Sequence, residues 1–226
     1  MSGNFDSAAH NAVNERVSKH KDSAPDAWRL YAVAWNGVAY RFRASAEHDA
    51  AFTKSVVGQP SPPPDERYLQ DHNLFAFHAC AASCIECFFF GAYCFAAIHD
   101  AAAFPVASAR ELRQLYPNGV HQSFVSRYPD SVLTKAMSAC LADTTYLAIK
   151  EHRDALSHRG SPGRTYFAGG PQDGKTMIPE NPKDPSARWS YNLEIDEETT
   201  SARMKWLGAT TSTLLLAASE FCKERL

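Results

Sequence analysis

The spacing of apolar residues along the chain predicts a series of amphipathic helices. In the first of them, residues recur at intervals of three and four, as on one helix face, at Trp28, Tyr31, Trp35, Val38, Phe42, Phe52 and Val56. A polar gap around Ser45 and Asp49 interrupts this face. Ser23 is expected to cap the helix, with Pro25 in its first turn. The proline-rich stretch GQPSPPPDE ends it, because proline does not continue a helix.

A second long helix is predicted from about Asp65 to Phe104, where Pro105 stops it. Two shorter helices are expected in SARELRQLY and GVHQSFVSRY, closed by Pro117 and Pro129. The pattern therefore continues as helices separated by prolines.

Two further helices complete the predicted set. One is capped by Asp130 and runs to about His158, with a core face of Leu133, Met137, Cys140, Thr144 and Leu147. The last begins near Asp196, and its buried face is expected at Met204, Leu207, Thr211, Leu214, Ala218 and Phe221. Acids in its first turn and Lys223 and Arg225 in its last turn suit the helix dipole.

These elements predict an all-α, up-and-down helical bundle with a small β-hairpin or loop insertion. Residues 1–22 are polar and are expected to form a flexible tail or a marginal first helix, and residues 23–226 a single bundle domain. Residues 159–195 are rich in Gly and Pro, and within them apolar and polar residues alternate from Trp189 to Ile195. This alternation predicts a short strand, paired in a hairpin.

Composition and charge narrow the classes of protein. The chain has 226 residues, 45% of them hydrophobic and 21% charged, as in an ordinary globular protein. A net charge of −2 gives no overall basic field for nucleic acid or an anionic membrane. The start lacks the apolar region of a signal peptide, which favours a reduced, cytoplasmic protein. The apolar run at residues 79–98 contains Glu86, so a buried core helix is favoured over a membrane span.

Three of the six cysteines, Cys80, Cys84 and Cys87, form one helical stripe. Such a stripe suits a soft metal or a redox site, or small side chains that pack a helix interface. Packing is favoured, because thiolate metal sites usually lie on turns. No metal and no cofactor is therefore predicted.

The candidate chemistry lies in EHRDALSHRG, residues 151–160. Asp154 and His158 are four residues apart and share one helix face, so the carboxylate can orient the imidazole. Gly160 ends the helix and Arg153 can reach the same end. An arginine that clamps a phosphate and a histidine that moves protons suit phosphodiester cleavage without a metal, giving a 2′,3′-cyclic phosphate.

The segment RDALSH, from Arg153 to His158 at the end of a late helix in a helical bundle, resembles the R-x4-6-H motif of the HEPN superfamily. The resemblance implies Arg153 and His158 as a catalytic pair, with Asp154 at the position after the arginine where the family usually has a polar residue. It also implies a homodimer whose two motifs face each other. Many members are metal-independent ribonucleases of toxin–antitoxin, phage-defence or RNA-processing systems, so an antitoxin protein is an expected kind of partner.

Context distinguishes this motif from others with the same spacing, such as Arg43 to His48, which lies within a predicted helix. The local basic cluster of Lys150, Arg159 and Arg164 is the expected RNA-binding surface. The alternative is a catalytically inert helical module that binds a nucleotide or a protein partner. In that case EHRDALSHRG is a polar helix end whose charges suit the helix dipole.

Overall fold

The computed structural model describes residues 4–56, 63–106, 108, 112–113, 115–158 and 197–226. Within these ranges the regular secondary structure is entirely helical, which confirms an all-α helical bundle. Its helices are α1 Ser7–Ser18, α2 Pro25–Val56, α3 Pro64–His99, α4 Pro117–Arg127, α5 Val132–Ala142, α6 Thr144–His158 and α7 Glu197–Arg225. Prolines begin α2, α3 and α4, where the missing N–H leaves no hydrogen bond unmade.

The antiparallel pair of α2 and α3 forms the centre of the bundle. Gln70 Nε2 donates to the Ser55 carbonyl at 2.6 Å, and the Cys84 thiol donates to the Val38 carbonyl at 3.4 Å. Just beyond the second contact, the Cys87 side chain packs directly on the α2 backbone, because a Cβ added at Gly37 would be 2.8 Å from Sγ of Cys87. Glycine is needed here for space.

An aromatic core fills the end of the bundle around the C-terminal half of α3. It consists of Tyr31, Trp35, Phe88, Phe95, Phe104, Phe124, Tyr128 and Phe221. Ring centroids are 5.7 Å apart for Trp35 and Phe88 and 5.8 Å apart for Phe95 and Phe221. These separations are typical of favourable aromatic pairs. The core therefore joins α2, α3, α4 and α7.

The predicted inner face of α7 and the predicted burial of the apolar part of α3 are confirmed. All six residues predicted for the inner face of α7 are buried. Among the described residues, α3 alone is long and apolar enough by composition to cross a membrane, and 72% of its most apolar window is buried within the bundle. The helix ends at His99 rather than Phe104, because the Asp100 carboxylate accepts a hydrogen bond from the Ala103 N–H and starts a turn.

The N-terminal residues are not simply the flexible tail predicted for 1–22. The Asp6 carboxylate caps α1 by accepting a hydrogen bond from the Ala9 N–H at 2.9 Å. Val13 and Val17 are fully buried, and Ser212 Oγ donates to Asp6 at 3.1 Å. The amphipathic face of α1 is short, and its packing against α7 supplies the missing stabilisation.

The helix predicted from Asp130 to His158 is in fact two helices. Ser131, rather than Asp130, caps α5 through its side chain, and the chain turns at Asp143, whose backbone is extended. After this break the buried side of α6 is given by Tyr146 and Ile149, and Thr144 and Leu147 of the predicted core face are exposed. The break changes which face points inward, so the apolar spacing that continues across it in the sequence does not mark one buried face.

The remaining expectations concern the cap of α2, the two short helices and the hairpin. Ser23 does not cap α2, because its hydroxyl donates to the His20 carbonyl. Pro117 begins α4, which covers most of the segment GVHQSFVSRY, where a helix was predicted. The helix predicted in SARELRQLY lies only partly within the described residues, and the hairpin predicted within 159–195 lies outside them.

Candidate functional site

Arg153 on α6 is held by two carboxylates. Its Nε donates to Oδ1 of Asp154 at 2.7 Å, and its Nη1 donates to Oε1 of Glu86 on α3 at 3.0 Å. The arginine side chain is 23% exposed, and those of Glu86 and Asp154 are 38% and 41% exposed. Arg153 therefore lies at a partly open surface with a fixed orientation.

The two carboxylates change the electrostatics expected of Arg153. Burial lowers the pKa of Arg153, but the charges and hydrogen bonds of Glu86 and Asp154 outweigh it and raise the pKa overall. One guanidinium and two carboxylates give this group a net charge of −1. Arg153 remains a cation, but a phosphate at this surface would also meet two anions.

The other predicted site residues are only partly described. His158 is the last residue of α6, but its side chain lies outside the described part of the structure. Arg159 and Arg164 also lie outside it. Lys150 is exposed on α6, one turn before Arg153 and Asp154. Asp154, predicted to orient His158, contacts Arg153.

A buried polar group lies beside this surface, on the inner side of α6. The ring of His152 stacks on that of His78, with 4.8 Å between centroids and 14° between planes. His78 Nε2 accepts a hydrogen bond from Arg203 Nη1 of α7 at 2.8 Å. All three residues are buried. We call His78, His152 and Arg203 the histidine–arginine cluster. It joins α3, α6 and α7.

The hydrogen bonds fix the protonation of His78. Its Nδ1 donates to the Leu74 carbonyl at 2.9 Å, and its Nε2 accepts from a permanent cation, so the ring is neutral. Burial lowers the pKa of His78 well below its ordinary value, and His152 and Arg203 lower it further, against a smaller rise from Leu74. His152 Nδ1 likewise donates to the Ala148 carbonyl at 2.9 Å.

Asp49 on α2 extends the buried polar region. It belongs to the polar gap of the sequence pattern, yet it is only 8% exposed and Ser45 is fully buried. Among the described residues, Oδ1 of Asp49 has no hydrogen-bond partner. Burial raises the pKa of Asp49, and a hydrogen bond from Thr200 lowers it by less. Thr200 is one turn before Arg203 on α7, so this carboxyl lies near the histidine–arginine cluster.

The cysteine stripe packs the interface between helices. Cys84 is fully buried against α2, and Cys87 lies beside Gly37. Burial raises the pKa of Cys84, and it raises the pKa of Cys140 to about 12. Thiols held in this way are poor nucleophiles. Within the described ranges no three His, Cys, Asp or Glu side chains are grouped to hold a metal ion.

Sequence reasoning missed Glu86 and the histidine–arginine cluster as parts of the site. In the sequence, Glu86 was used only as a charge that argues against a membrane span at residues 79–98. The signal for His152 was its spacing from Tyr146 and Ile149 at intervals of three, which places it on the buried side of α6. The pairing of His152 with His78 depends on tertiary packing.

No protein-family model, curated protein or solved structure gives a significant match to this chain.

Proposed function

We propose that the chain is a HEPN-like, metal-independent endoribonuclease or RNA-binding protein that acts as a cytoplasmic homodimer. The observation that carries the proposal is the fixed position of Arg153. Glu86 and Asp154 hold its guanidinium at a partly open surface, on the same helix as His158. Nη2 makes no hydrogen bond or ion pair with the described residues, so one edge of the guanidinium can donate to a phosphate oxygen.

The chemistry assigned to this surface is transfer of the phosphodiester to the neighbouring ribose hydroxyl. His158 takes the proton of the 2′-hydroxyl, and the 2′ oxygen attacks phosphorus. Arg153 stabilises the charge that develops on the phosphate oxygens. The bond to the 5′ oxygen breaks and that oxygen takes up a proton. The products are a 2′,3′-cyclic phosphate and a 5′-hydroxyl end.

The net charge of the Arg153 group supports a need for additional cations. The carboxylates of Glu86 and Asp154 and the guanidinium of Arg153 have a summed charge of −1. RNA binding depends on neutralising phosphates. Lys150, Arg159 and Arg164 are the cations proposed for this role. A second subunit with its motif facing the first would double their number. In a toxin–antitoxin or defence system, a cognate antitoxin protein would cover this surface.

The ion pairs of Arg153 also favour a second candidate function. An arginine held by two carboxylates from different helices ties α6 to α3, as in a structural ion pair. The chain would then be an inert HEPN-like helical module that binds a nucleotide or a protein partner. In that case the loss of Arg153 affects stability and no chemistry.

The test is cleavage of a mixed RNA pool in EDTA by the wild type and by Arg153→Ala and His158→Ala, with the product ends identified. Arg43→Ala and His48→Ala are matched controls, because these residues have the same spacing on α2. The proposal expects cyclic phosphate ends from the wild type and both controls, and a loss of at least about 100-fold in the two motif variants. An intact RNA pool with folded wild type, or equal cleavage by all five proteins, overturns the ribonuclease.

Glu86→Gln separates the two candidate functions further. In the ribonuclease, the substitution removes one anion beside Arg153, so RNA affinity and its dependence on salt change. In the inert module, only the free energy of unfolding changes. RNA binding measured at several salt concentrations, together with a denaturation curve, distinguishes these outcomes.

A further inference from the structure

The histidine–arginine cluster connects the motif helix to the rest of the bundle through two stacked imidazole rings. His152 directly precedes Arg153, so its stack on His78 fixes the inner side of α6 at the point where Arg153 reaches outward. His78 in turn is fixed from both sides, by the Leu74 carbonyl and by Arg203. A change at either ring is therefore transmitted to α6.

Protonation is the change that this geometry does not tolerate. Nε2 of His78 has one lone pair, and Arg203 Nη1 points a proton at it from 2.8 Å. A proton on that nitrogen removes the hydrogen bond and places two cations in contact. A proton on His152 places a cation on a ring stacked 4.8 Å from His78 and adds to the charge of Arg203. In a buried environment such repulsion is strong.

The charged groups around the two rings come from all the helices that pack there. On α6 they are Arg153 and Asp154, which pair with each other, and Arg153 also pairs with Glu86 of α3. On α7 the charge is Arg203. On α3, Asp71 lies two turns before His78. On α2, Asp49 lies against Thr200.

Protonation of Asp49 has the opposite effect on the closed structure to protonation of the histidines. Because burial raises the pKa of Asp49, its carboxyl stabilises the closed structure on acidification. Asp49 therefore does not account for an opening of α6 that grows as the pH falls.

We propose that His78, His152 and Arg203 form a proton-sensitive clamp that holds α6 in place at neutral pH and releases it in mild acid. The clamp positions Arg153 and is not itself a set of catalytic residues. Its control of the RNA site rests on the proposed function, whereas the release of α6 does not.

The direction and size of the pH effect on the opening of α6 follow from proton linkage. The pKa of His78 is lower when the clamp is closed than when the ring is free in water. The open state therefore binds a proton that the closed state does not, and the clamp is strongest above the free imidazole pKa of about 6.5. The opening constant of α6 is expected to rise nearly tenfold for each pH unit below about 6, down to the pKa of the closed form.

The experiment is hydrogen exchange of the full chain between pH 7.5 and pH 5, with each rate divided by its intrinsic chemical rate. The protection of amides from exchange in peptides covering 144–158 is expected to fall nearly tenfold for each pH unit below about 6. The protection of amides in α2 around Trp35 is expected to stay constant. His78→Gln with His152→Phe keeps an acceptor for Arg203 and a ring on that face but cannot take up a proton, so its protection is expected not to depend on pH.

Protection of α6 that is constant from pH 7.5 to pH 5 in the wild type overturns the clamp, as does an equal fall in the double variant. If that variant does not fold, imidazole NMR of the wild type decides the question. The clamp requires His78 to take up its proton together with the loss of α6 protection, and titration of this ring without that loss contradicts it. No RNA is used, so this result is independent of the ribonuclease test.

Discussion

The two halves of α3 lie in opposite kinds of surroundings. The C-terminal half, from Phe88 to Ala97, packs within the aromatic core. The N-terminal half buries Gln70 and His78, which contact the Ser55 carbonyl and Arg203. Apolar rings need only complementary shape, but each buried polar atom also needs a partner. The aromatic half is therefore expected to supply most of the free energy of unfolding, and the polar half to fix the position of α6.

The largest expected effect comes from Phe95→Ala. Phe95 is fully buried, with ring centroids 6.1 Å from Trp35 and 5.8 Å from Phe221. Its removal is expected to lower the free energy of unfolding by about 3–5 kcal/mol, measured by chemical denaturation. Phe75→Ala, in the polar half and 38% exposed, is the control and should cost less than about 1 kcal/mol. Equal costs would contradict the contrast between the two halves.

Asp49→Asn is expected to stabilise the protein at neutral pH. Burial raises the pKa of Asp49, so the wild type is favoured below the unfolded-state pKa and loses that stability as the pH rises through the folded-state pKa. At pH 7 the substitution removes a buried charge with an unpartnered oxygen, and a gain of about 1 kcal/mol is expected. The gain should vanish near pH 4.

Thermal or chemical denaturation at both pH values checks this, with the exposed Asp26→Asn as a control that changes little. A loss of stability at pH 7 would show that the Asp49 carboxylate is needed in its charged form.

Glu86→Gln should have a smaller effect. The pair of Glu86 and Arg153 is partly exposed, so solvent screens it, and a loss of about 0.5–1 kcal/mol is expected. The loss should disappear in an Arg153→Ala background and shrink in 1 M salt, because salt screens exposed charges. A double-mutant cycle measures this. A loss that persists without Arg153 would assign another role to Glu86.

Arg43→Ala is expected to have the smallest effect. Arg43 pairs with Glu47 at 2.8 Å, but their side chains are 80% and 63% exposed. The change in the free energy of unfolding should stay below about 0.5 kcal/mol, as measured by chemical denaturation. A larger loss would show that exposed pairs on α2 stabilise this bundle as the buried rings do.

Most helices could be predicted from the sequence, because their apolar spacing and prolines are local signals. The inner face of α7 and the proline that begins α2 are examples. The break at Asp143 could not, since residues on both sides favour helix and their spacing continues smoothly for several turns. The exposure of Leu147, at 51%, follows from that break.

In the candidate site, only the contacts within one helix could be predicted from the sequence. Arg153 and Asp154 are neighbours in sequence, and their contact is local. Glu86 lies 67 residues before Arg153, so the ion pair that orients the arginine depends on how α3 and α6 pack. The same is true of His78 and His152, whose stacking no spacing in the sequence indicates.

The packing of α1 against α7 has a consequence for folding during synthesis. His20 contacts the carbonyl of Leu226, and Ser212 contacts Asp6, so each contact spans 206 residues. Contacts between such distant residues slow folding, because a long loop must close before they form. On the ribosome, α1 emerges before α7, and its apolar side stays uncovered until α7 has been made. The nascent chain therefore exposes Val13 and Val17 while the helices between α1 and α7 are translated, which is the interval in which chaperones would bind it.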